Sequence, residues 1–301
     1  MAYRSKRAKV REGGEDPTTD GNFVTKSHGV LSVVASKHGE NAQGPSDPST
    51  AMNLGWMDVF SISLLPERFC LEIFSGTARI TDRLNFHNIP AFPIDICLFP
   101  SHNVLHVDVE HTIVHWIQQR RIAFIWLGMP CTSFSQARKW DDVGPGPLRD
   151  YDNLFGFPWL SAGDRFKVEQ GNQLLRFSIR ILELCQQYSI PYALENPATS
   201  YIWYMPPMLK FRRKYDPGLV IFDFCQYGED WKKPTAVVGN FWDLHTLNKR
   251  CTGTFKCCSA THRPHVPLAG LSTCGIFRTL LAQPYPWKLA ALVAEQVAKV
   301  I

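Results

Sequence analysis

The sequence lacks any uninterrupted apolar stretch long enough to cross a bilayer, which argues against a membrane-spanning helix. It also lacks a charged N-terminal segment followed by an apolar one, so we expect no secretory signal. The nine cysteines are an odd number, and without an export signal they are best interpreted as reduced thiols. We therefore expect an intracellular protein without a membrane partner, nuclear in a eukaryote and otherwise in the cytoplasm or nucleoid.

An excess of positive charge is also missing from most of the chain. The net charge is +5 at pH 7, but residues 1–11 hold five basic residues and no acid. The remainder is therefore neutral overall, which excludes a global positive field as the means of binding nucleic acid. Local basic clusters remain, at residues 120–121, 210–214 and 249–250, although each alone is more typical of a solvated surface.

Composition divides the chain into four parts. Residues 1–60 are rich in Gly, Ser, Pro and charged residues with few aromatics, which predicts a disordered basic tail. Residues 66–240 carry the apolar patterns of a catalytic domain. Residues 241–275 are polar and rich in Cys and His, and residues 276–301 contain an apolar helix that we expect to return to the domain.

Strand-like and helix-like patterns alternate along residues 66–240. This alternation predicts an α/β fold with a doubly wound, mostly parallel sheet and right-handed crossovers. The predicted strands are 68–74, 89–94, 104–107, 122–129, 191–194, 219–222 and 235–238, and the predicted helices are 77–86, 113–119, 170–187 and 287–300. Residues 141–164 are rich in Gly, Pro and Asp, and such a long connection is typical of a closing loop.

Four predicted strands end in chemically distinctive residues. Phe74-x-Gly76 follows the first, Asp95 the second, Cys131 the fourth and Glu195 the fifth. Because ligands bind at the carboxyl ends of parallel strands, we expect these residues to meet at one edge. There a thiol can act as a nucleophile, a buried carboxyl as a proton donor and an aspartate as a ribose ligand. The alternatives are an inert buried thiol, a salt-bridged glutamate and a turn-forming aspartate.

The glycine pattern excludes two common nucleotide sites. Gly76 is the one glycine in its loop, so neither the dinucleotide fingerprint nor the phosphate-binding loop is matched.

These residues in this order resemble the signature of the cytosine-5 DNA methyltransferases, and the resemblance runs from about residue 68 to the end of the chain. Its most specific part is the stretch from Pro130 to Ser135, with the sequence Pro-Cys-x-x-Phe-Ser. The sequence looks most similar to small members encoded by phages or mobile elements. Features shared with those members include Gly171-Asn172, Glu195-Asn196-Pro197, Tyr227-Gly228 and Lys233-Pro234-Thr235.

The resemblance implies a mechanism and a set of ligands. Cys131 would attack C6 of a cytosine flipped out of double-stranded DNA, and Glu195 would protonate N3. The methyl group of S-adenosylmethionine would go to C5, and loss of the C5 proton would release Cys131. The implied cofactor-binding residues are Phe74, Ser75, Gly76, Thr77, Asp95 (ribose), Asp108 (adenine) and Pro130; the implied substrate-binding residues are Ser135, Asn196, Lys232 and Lys233. We expect a monomer.

The sequence departs from the family pattern at two places. Ala78-Arg79 stands where paired glycines are usual, and Gln226, Lys232 and Lys233 stand where the family has Gln-x-Arg-x-Arg. A lysine supplies charge but not the guanidinium fork. The alternatives are therefore a protein that binds cofactor or DNA without turnover, or a methyltransferase acting on RNA cytosine.

The Cys- and His-rich segment raises the question of zinc. Its candidate ligands are Cys251, Cys257, Cys258, His262, His265 and Cys274. No pair has the C-x2–4-C spacing with a matching second pair, so we expect reduced cysteines packing a small lobe and no metal. The resemblance implies that this segment reads the target sequence, and its length limits direct readout to a short site.

Overall fold

A computed structural model describes residues 65–138, 145–241 and 243–301. The predicted tail at residues 1–60 lies outside these ranges. The strands are β1 (Phe69–Ile73), β2 (Ala91–Ile94), β3 (Ile122–Gly128), β4 (Tyr192–Pro197), β5 (Gly218–Asp223) and β6 (Pro234–Gly239). The α-helices are α1 (Arg79–Phe86), α2 (Val107–Gln118), α3 (Ala162–Tyr188), α4 (Pro206–Tyr215), α5 (Arg278–Leu281) and α6 (Trp287–Ala298). Short 3-10 helices span Pro100–His102, Tyr201–Tyr204, Phe224–Tyr227 and Leu244–Leu247.

The six strands form one sheet in the order β2-β1-β3-β4-β6-β5. Strands β1 to β4 are mutually parallel, whereas β6 runs antiparallel to both of its neighbours. The predicted mostly parallel α/β fold is confirmed. Ile73 pairs with Ile94 and Leu127, and Gly128 pairs with Glu195, so the carboxyl ends of the four parallel strands lie along one edge.

Helices cover both faces of the sheet, which accounts for the continuous apolar runs of the central strands. In β1, Leu71 and Ile73 face the helices α2, α3 and α4, and Cys70 faces α1 and α6. The two-residue period of a strand produces this division. Within the described residues, no helix is both long and apolar enough to cross a membrane.

The strand predicted at residues 104–107 is wrong. Asn103 forms a turn, with its side-chain oxygen accepting from the Leu105 N–H at 3.1 Å and its carbonyl accepting from the His106 N–H at 2.9 Å. Helix α2 then begins at Val107. A run of four residues is too short to distinguish the period of a strand from that of a helix. Beyond it, Val109 and Ile113 are buried at helical spacing, which is the pattern of α2. The helix predicted at 113–119 is the second half of α2.

The first turn of helix α1 is capped by a side chain from strand β1 rather than by its own N-cap residue. Ala78, at the N-cap, has φ of 55° and no side chain that can accept a hydrogen bond. Instead, one oxygen of Glu72 in β1 accepts from both the N–H and the hydroxyl of Thr81, each at 2.7 Å. Glu72 is fully buried. Burial raises its pKa to about 7, although the two bonds from Thr81 oppose the shift.

We predict that Glu72→Gln removes a pH-dependent part of the folding free energy. A carboxyl whose folded pKa lies near 7 rather than at its ordinary 4.5 stabilises the fold fully at low pH and loses that contribution as pH rises through 7. Between pH 5 and pH 8, the variant's stability relative to wild type should therefore improve by about 2–3 kcal/mol. Urea unfolding at the two pH values measures this difference. Glu67→Gln, at an exposed glutamate, is the control; an equal difference in both variants would exclude Glu72 as its source.

Candidate active site

The carboxyl group at the end of β4 is buried and incompletely hydrogen-bonded. Glu195 is 6% exposed, and the hydroxyl of Tyr285 donates to its Oε2 at 3.0 Å. Its Oε1 is buried without a hydrogen-bond partner. Burial raises the pKa of Glu195, and the charge of Lys233 and the bond from Tyr285 oppose the rise. Glu195 therefore retains its proton to a higher pH than an ordinary glutamate and presents one free oxygen.

The candidate nucleophile lies just beyond the end of β3, the strand that pairs with β4 and places Gly128 opposite Glu195. Cys131 is partly exposed, and its carbonyl accepts from the Phe134 N–H at 2.9 Å in a tight turn. Burial raises the pKa of the thiol, the charge of Lys233 lowers it, and Glu195 raises it further. Among the described residues, the next helix after Cys131 is α3, which begins at Ala162, so the cationic influence that favours the thiolate comes from Lys233.

Lys233 therefore acts on both candidate catalytic groups. Its ammonium donates to the carbonyl of Ala282 at 2.9 Å and lies 4.5 Å from the ring centroid of Phe224. The neighbouring Lys232 is engaged elsewhere, donating to the carbonyl of Cys251 at 3.1 Å. Of the two lysines predicted to bind substrate, the structure brings Lys233 to the Cys131–Glu195 pair and places Lys232 at the Cys- and His-rich segment.

Tyr285 is a site residue that sequence reasoning missed. It is buried, and its ring packs edge-on against Trp126 of β3 with centroids 5.6 Å apart. The Arg79 guanidinium donates to the Tyr285 carbonyl and lies 4.8 Å from the ring of Trp287. Arg79, unexpected in the family pattern, thus fixes the segment that delivers the Tyr285 hydroxyl to Glu195. Glu195 and Tyr285 are 90 positions apart in the sequence, and no local motif marks their contact.

Asn196 joins the two strand ends. Its amide nitrogen donates to the Met129 carbonyl at 2.6 Å, while its Oδ1 is buried and has no hydrogen-bond partner. The hydrogen bond to Met129 holds the start of the Cys131 loop against β4. The free Oδ1 is a second buried acceptor, one residue along the strand from Glu195. The predicted contact of Asn196 with substrate stays a prediction, and Oδ1 is the atom that remains free for it.

The loop after β1 is strained and open. Phe74, Gly76 and Ala78 all have positive φ values, of 59°, 55° and 55°. For residues with side chains such backbone angles cost free energy, and they concentrate at functional sites. A Cβ on Gly76 would meet nothing within 4 Å, and the hydroxyl of Ser75 is buried without a hydrogen-bond partner. This loop leaves space and an unused polar group for a ligand.

Asp95 connects this loop to the end of β2. One carboxylate oxygen accepts from the Gly76 N–H at 2.8 Å and the other from the Cys97 N–H at 2.7 Å. Asp95 therefore forms a turn, which was one of the two roles that the sequence allowed. Its side chain is still partly exposed beside Gly76.

The remaining predicted cofactor residues are Asp108, Thr77 and Pro130. Asp108 lies in the first turn of α2, with a carboxylate oxygen 3.5 Å from Nδ1 of His106. Thr77 and Pro130 are both exposed, after β1 and β3 respectively.

A buried arginine supports the Cys131 loop, and sequence reasoning missed it as well. Arg149 is 1% exposed and donates from Nε to the Ser133 carbonyl and from Nη2 to the Ser133 hydroxyl, both at 2.9 Å. Its Nη1 donates to Asn172 Oδ1 at 3.0 Å, and the guanidinium lies 3.9 Å from the ring of Phe134. Among the described residues no carboxylate forms an ion pair with it, and burial lowers its pKa to about 10.

Helix α3 provides the surface on which this loop rests. A Cβ on Gly171 would clash with the Ser133 hydroxyl and would come within 3.1 Å of the Phe134 ring. The Gly171-Asn172 pair therefore supports the nucleophile loop through close packing and a hydrogen bond to Arg149. Ser135 closes the loop, its hydroxyl accepting from the Ala137 N–H at 3.1 Å.

Comparisons with known proteins give a likeness in structure alone. No protein-family model matches the sequence, and neither does any curated protein. Solved structures do match, including the crystal structure of the S. pombe Dnmt2 methyltransferase. That match has a TM-score of 0.33 and 16% identity, and it covers 58% of this chain and 51% of the other. It thus spans about half of the Dnmt2 chain, and what this protein does must be argued from its own residues.

We predict that Arg149→Lys loosens the nucleophile loop. A single ammonium cannot replace the guanidinium at Ser133 and Asn172 together, so buried acceptors lose their donors, at a cost of about 2–4 kcal/mol in unfolding free energy. Denaturant unfolding measures this loss, and alkylation of Cys131 followed by mass spectrometry should become faster. Arg165→Lys, on the exposed side of α3, should change neither quantity. An unchanged alkylation rate in Arg149→Lys would show that the arginine does not position the loop.

We also predict that Lys233→Met raises the pKa of the Cys131 thiol, because it removes the cation that lowers it. The pH dependence of Cys131 alkylation should shift upward, with slower reaction at neutral pH. Lys232→Met removes the same charge one residue earlier, where the ammonium binds Cys251 instead. If both variants shift the profile equally, the specific influence of Lys233 is disproved.

Proposed function

We propose that this protein is an S-adenosylmethionine-dependent DNA cytosine-5 methyltransferase with Cys131 as nucleophile and Glu195 as acid. The observation that carries the proposal is the pairing of these two groups. A thiol and a buried carboxyl of raised pKa lie at the ends of adjacent parallel strands, and both are influenced by Lys233. This is the arrangement that addition to a cytosine ring requires.

Glu195 supplies the proton that makes the ring electrophilic. Its protonated carboxyl donates to N3 of the cytosine, and the remaining oxygen accepts from the exocyclic amino group. The unpartnered Oε1 offers one such contact, while the Tyr285 hydroxyl holds Oε2 in place. Protonation at N3 draws electrons away from C6, where the sulfur attacks.

Cys131 forms and then breaks a covalent bond. Its thiol loses a proton to solvent and the sulfur bonds to C6, so that the electrons of the C5–C6 double bond move toward C5. S-adenosylmethionine would supply an electrophilic methyl group to C5 and would be left as S-adenosylhomocysteine. Loss of the C5 proton to solvent then restores the C5–C6 double bond and expels the Cys131 thiolate, and the N3 proton returns to Glu195. The cation of Lys233 favours the thiolate both as the attacking and as the leaving group.

The residues at the ends of β1 and β2 fit the cofactor. The loop from Phe74 to Thr77 would hold its methionine and adenosine parts, because Gly76 faces open space and Ser75 has an unused hydroxyl. The partly exposed carboxylate of Asp95 would accept from ribose hydroxyls. Asp108, in the first turn of α2, would lie at the adenine.

The choice of DNA over RNA is the finer part of the proposal and rests on the sequence resemblance. A stacked cytosine cannot reach a thiol at a sheet edge, so the base must be flipped out or already unpaired. Two basic residues of α4, the partly exposed Arg212 and the exposed Arg213, are candidates for phosphate contacts. Residues 241–275 are the candidate target-reading segment.

The test is methyl transfer from labelled S-adenosylmethionine to double-stranded DNA and, separately, to RNA. We expect transfer to DNA, with label on C5 of cytosine. Cys131→Ser should reduce it to background, and Glu195→Gln should reduce it about 10²–10⁴-fold. Cys274→Ser, at an exposed thiol, is the matched control and should retain full activity.

Each contrary result has a defined meaning. Transfer to RNA alone would disprove the DNA assignment. Cofactor binding with no transfer to either nucleic acid would identify a binding protein that lacks turnover. Activity retained by Cys131→Ser would remove Cys131 from the mechanism.

A further inference from the structure

Three cysteines and a histidine from distant parts of the chain meet beside β5. Cys225 lies in the 3-10 helix Phe224–Tyr227 directly after β5, and Cys251, Cys258 and His265 come from the segment beyond β6. Their ligand atoms all lie within 4.8 Å of one another, and Sγ of Cys251 is 3.6 Å from Nε2 of His265. We propose that these four residues bind a structural zinc ion.

The distances suit tetrahedral coordination. Zinc–sulfur bonds of about 2.3 Å place ligand atoms about 3.8 Å apart. Cys251 Sγ and His265 Nε2 are 3.6 Å apart, and no two of the four ligand atoms are more than 4.8 Å apart. A Cys3His set supplies all four ligands from protein and leaves no open position, which is typical of structural rather than catalytic zinc. The three cysteines are buried, so water is excluded from most of the shell.

Hydrogen-bond donors already point at the sulfur atoms. The N–H of Ser259 lies 3.4 Å from Sγ of Cys251, and the N–H of Ala260 lies 3.4 Å from Sγ of Cys258. The amide of Gln226 is 3.6 Å from the sulfurs of both Cys225 and Cys258. Such donors stabilise thiolates, the form in which cysteine binds zinc.

The segment has little else to hold it in place. Described residues 249–277 contain no helix or strand, only two isolated bridges, Cys257 with Pro264 and Leu271 with Phe277. The buried apolar cluster at this place consists of the three cysteines themselves, while Phe255 is 98% exposed. Segments that cannot bury apolar surface commonly depend on a metal or disulfides.

The backbone is folded tightly enough to present the ligands. A Cβ on Gly253 would clash with the Cys257 carbonyl, so only glycine fits this turn. Asp223, at the end of β5, accepts from the Cys251 N–H at 2.7 Å, and the Lys256 carbonyl accepts from the His265 N–H at 2.8 Å. These bonds fix two ligand-bearing residues independently of any ion.

The sequence pattern concealed this site. Six residues separate Cys251 from Cys258, six separate Cys258 from His265, and the fourth ligand comes from before β6. The expectation of packed thiols rested on the absence of short C-x2–4-C pairs. A zinc site here does not need such pairs, because the fold brings four single ligands together. Cys257, next to a ligand, and the exposed Cys274 lie outside the set.

The experiment is metal analysis of the purified full-length protein by mass spectrometry. We expect one zinc per chain, lost by more than tenfold in Cys258→Ser and His265→Ala. Cys257→Ser and Cys274→Ser are matched controls that should keep it. His265→Cys should retain binding and, with cobalt in place of zinc, should shift the absorption toward that of a four-sulfur site.

A second measurement covers the case in which ligand variants fail to fold. In wild type, zinc should protect Cys225, Cys251 and Cys258 from alkylation until a chelator is added, whereas Cys257 and Cys274 react throughout. Absence of zinc from folded wild type, equal loss in Cys257→Ser, a disulfide among the three cysteines, or no protection would each overturn the proposal. None of these results bears on methyl transfer, so this site and the proposed function fail separately.

Discussion

The hydrogen bond from Tyr285 to Glu195 is the contact on which the geometry of the site depends. It connects Tyr285, just before α6, to Glu195 of β4, and both side chains are buried. Arg79 of α1 holds the Tyr285 backbone and Trp126 of β3 packs against its ring, so three elements set the position of one hydroxyl. Because Glu195 is buried, a displaced hydroxyl would leave both carboxyl oxygens without donors, at a cost of about 1–3 kcal/mol.

The loop that carries Cys131 is held by a buried cation, Arg149, whose hydrogen-bond partners are all neutral. Arg149 distributes its donors over Ser133, Asn172 and the Leu154 carbonyl. A carboxylate in that place would neutralise the arginine but would also put a second charge near Cys131, where Glu195 already raises the thiol pKa. With neutral acceptors the buried charge of the arginine is not compensated, and its pKa is lowered. Lys233 and Glu195 then remain the charged groups that shift the pKa of the thiol.

The sequence predicted most of the sheet and the two central groups of the site, because strand ends are local features. Cys131 and Glu195 each follow an apolar run, and parallel pairing aligns such ends. The false strand at 104–107 arose where four residues could satisfy either period. Arg149 and Tyr285 could not be predicted, since no motif marks the contact of Arg149 with Ser133, 16 positions away, or of Tyr285 with Glu195, 90 positions away. The Cys/His cluster was hidden for the same reason.

Lys232 and Lys233 lie between the candidate active site and the Cys- and His-rich segment. The two residues are adjacent in the turn before β6, and each ammonium binds a carbonyl from a different segment. Lys232 holds Cys251, one of the proposed zinc ligands, while Lys233 holds Ala282 and acts on Cys131 and Glu195. The two neighbouring ammonium groups therefore serve different sites: that of Lys232 anchors the Cys- and His-rich segment, and that of Lys233 lowers the pKa of the thiol.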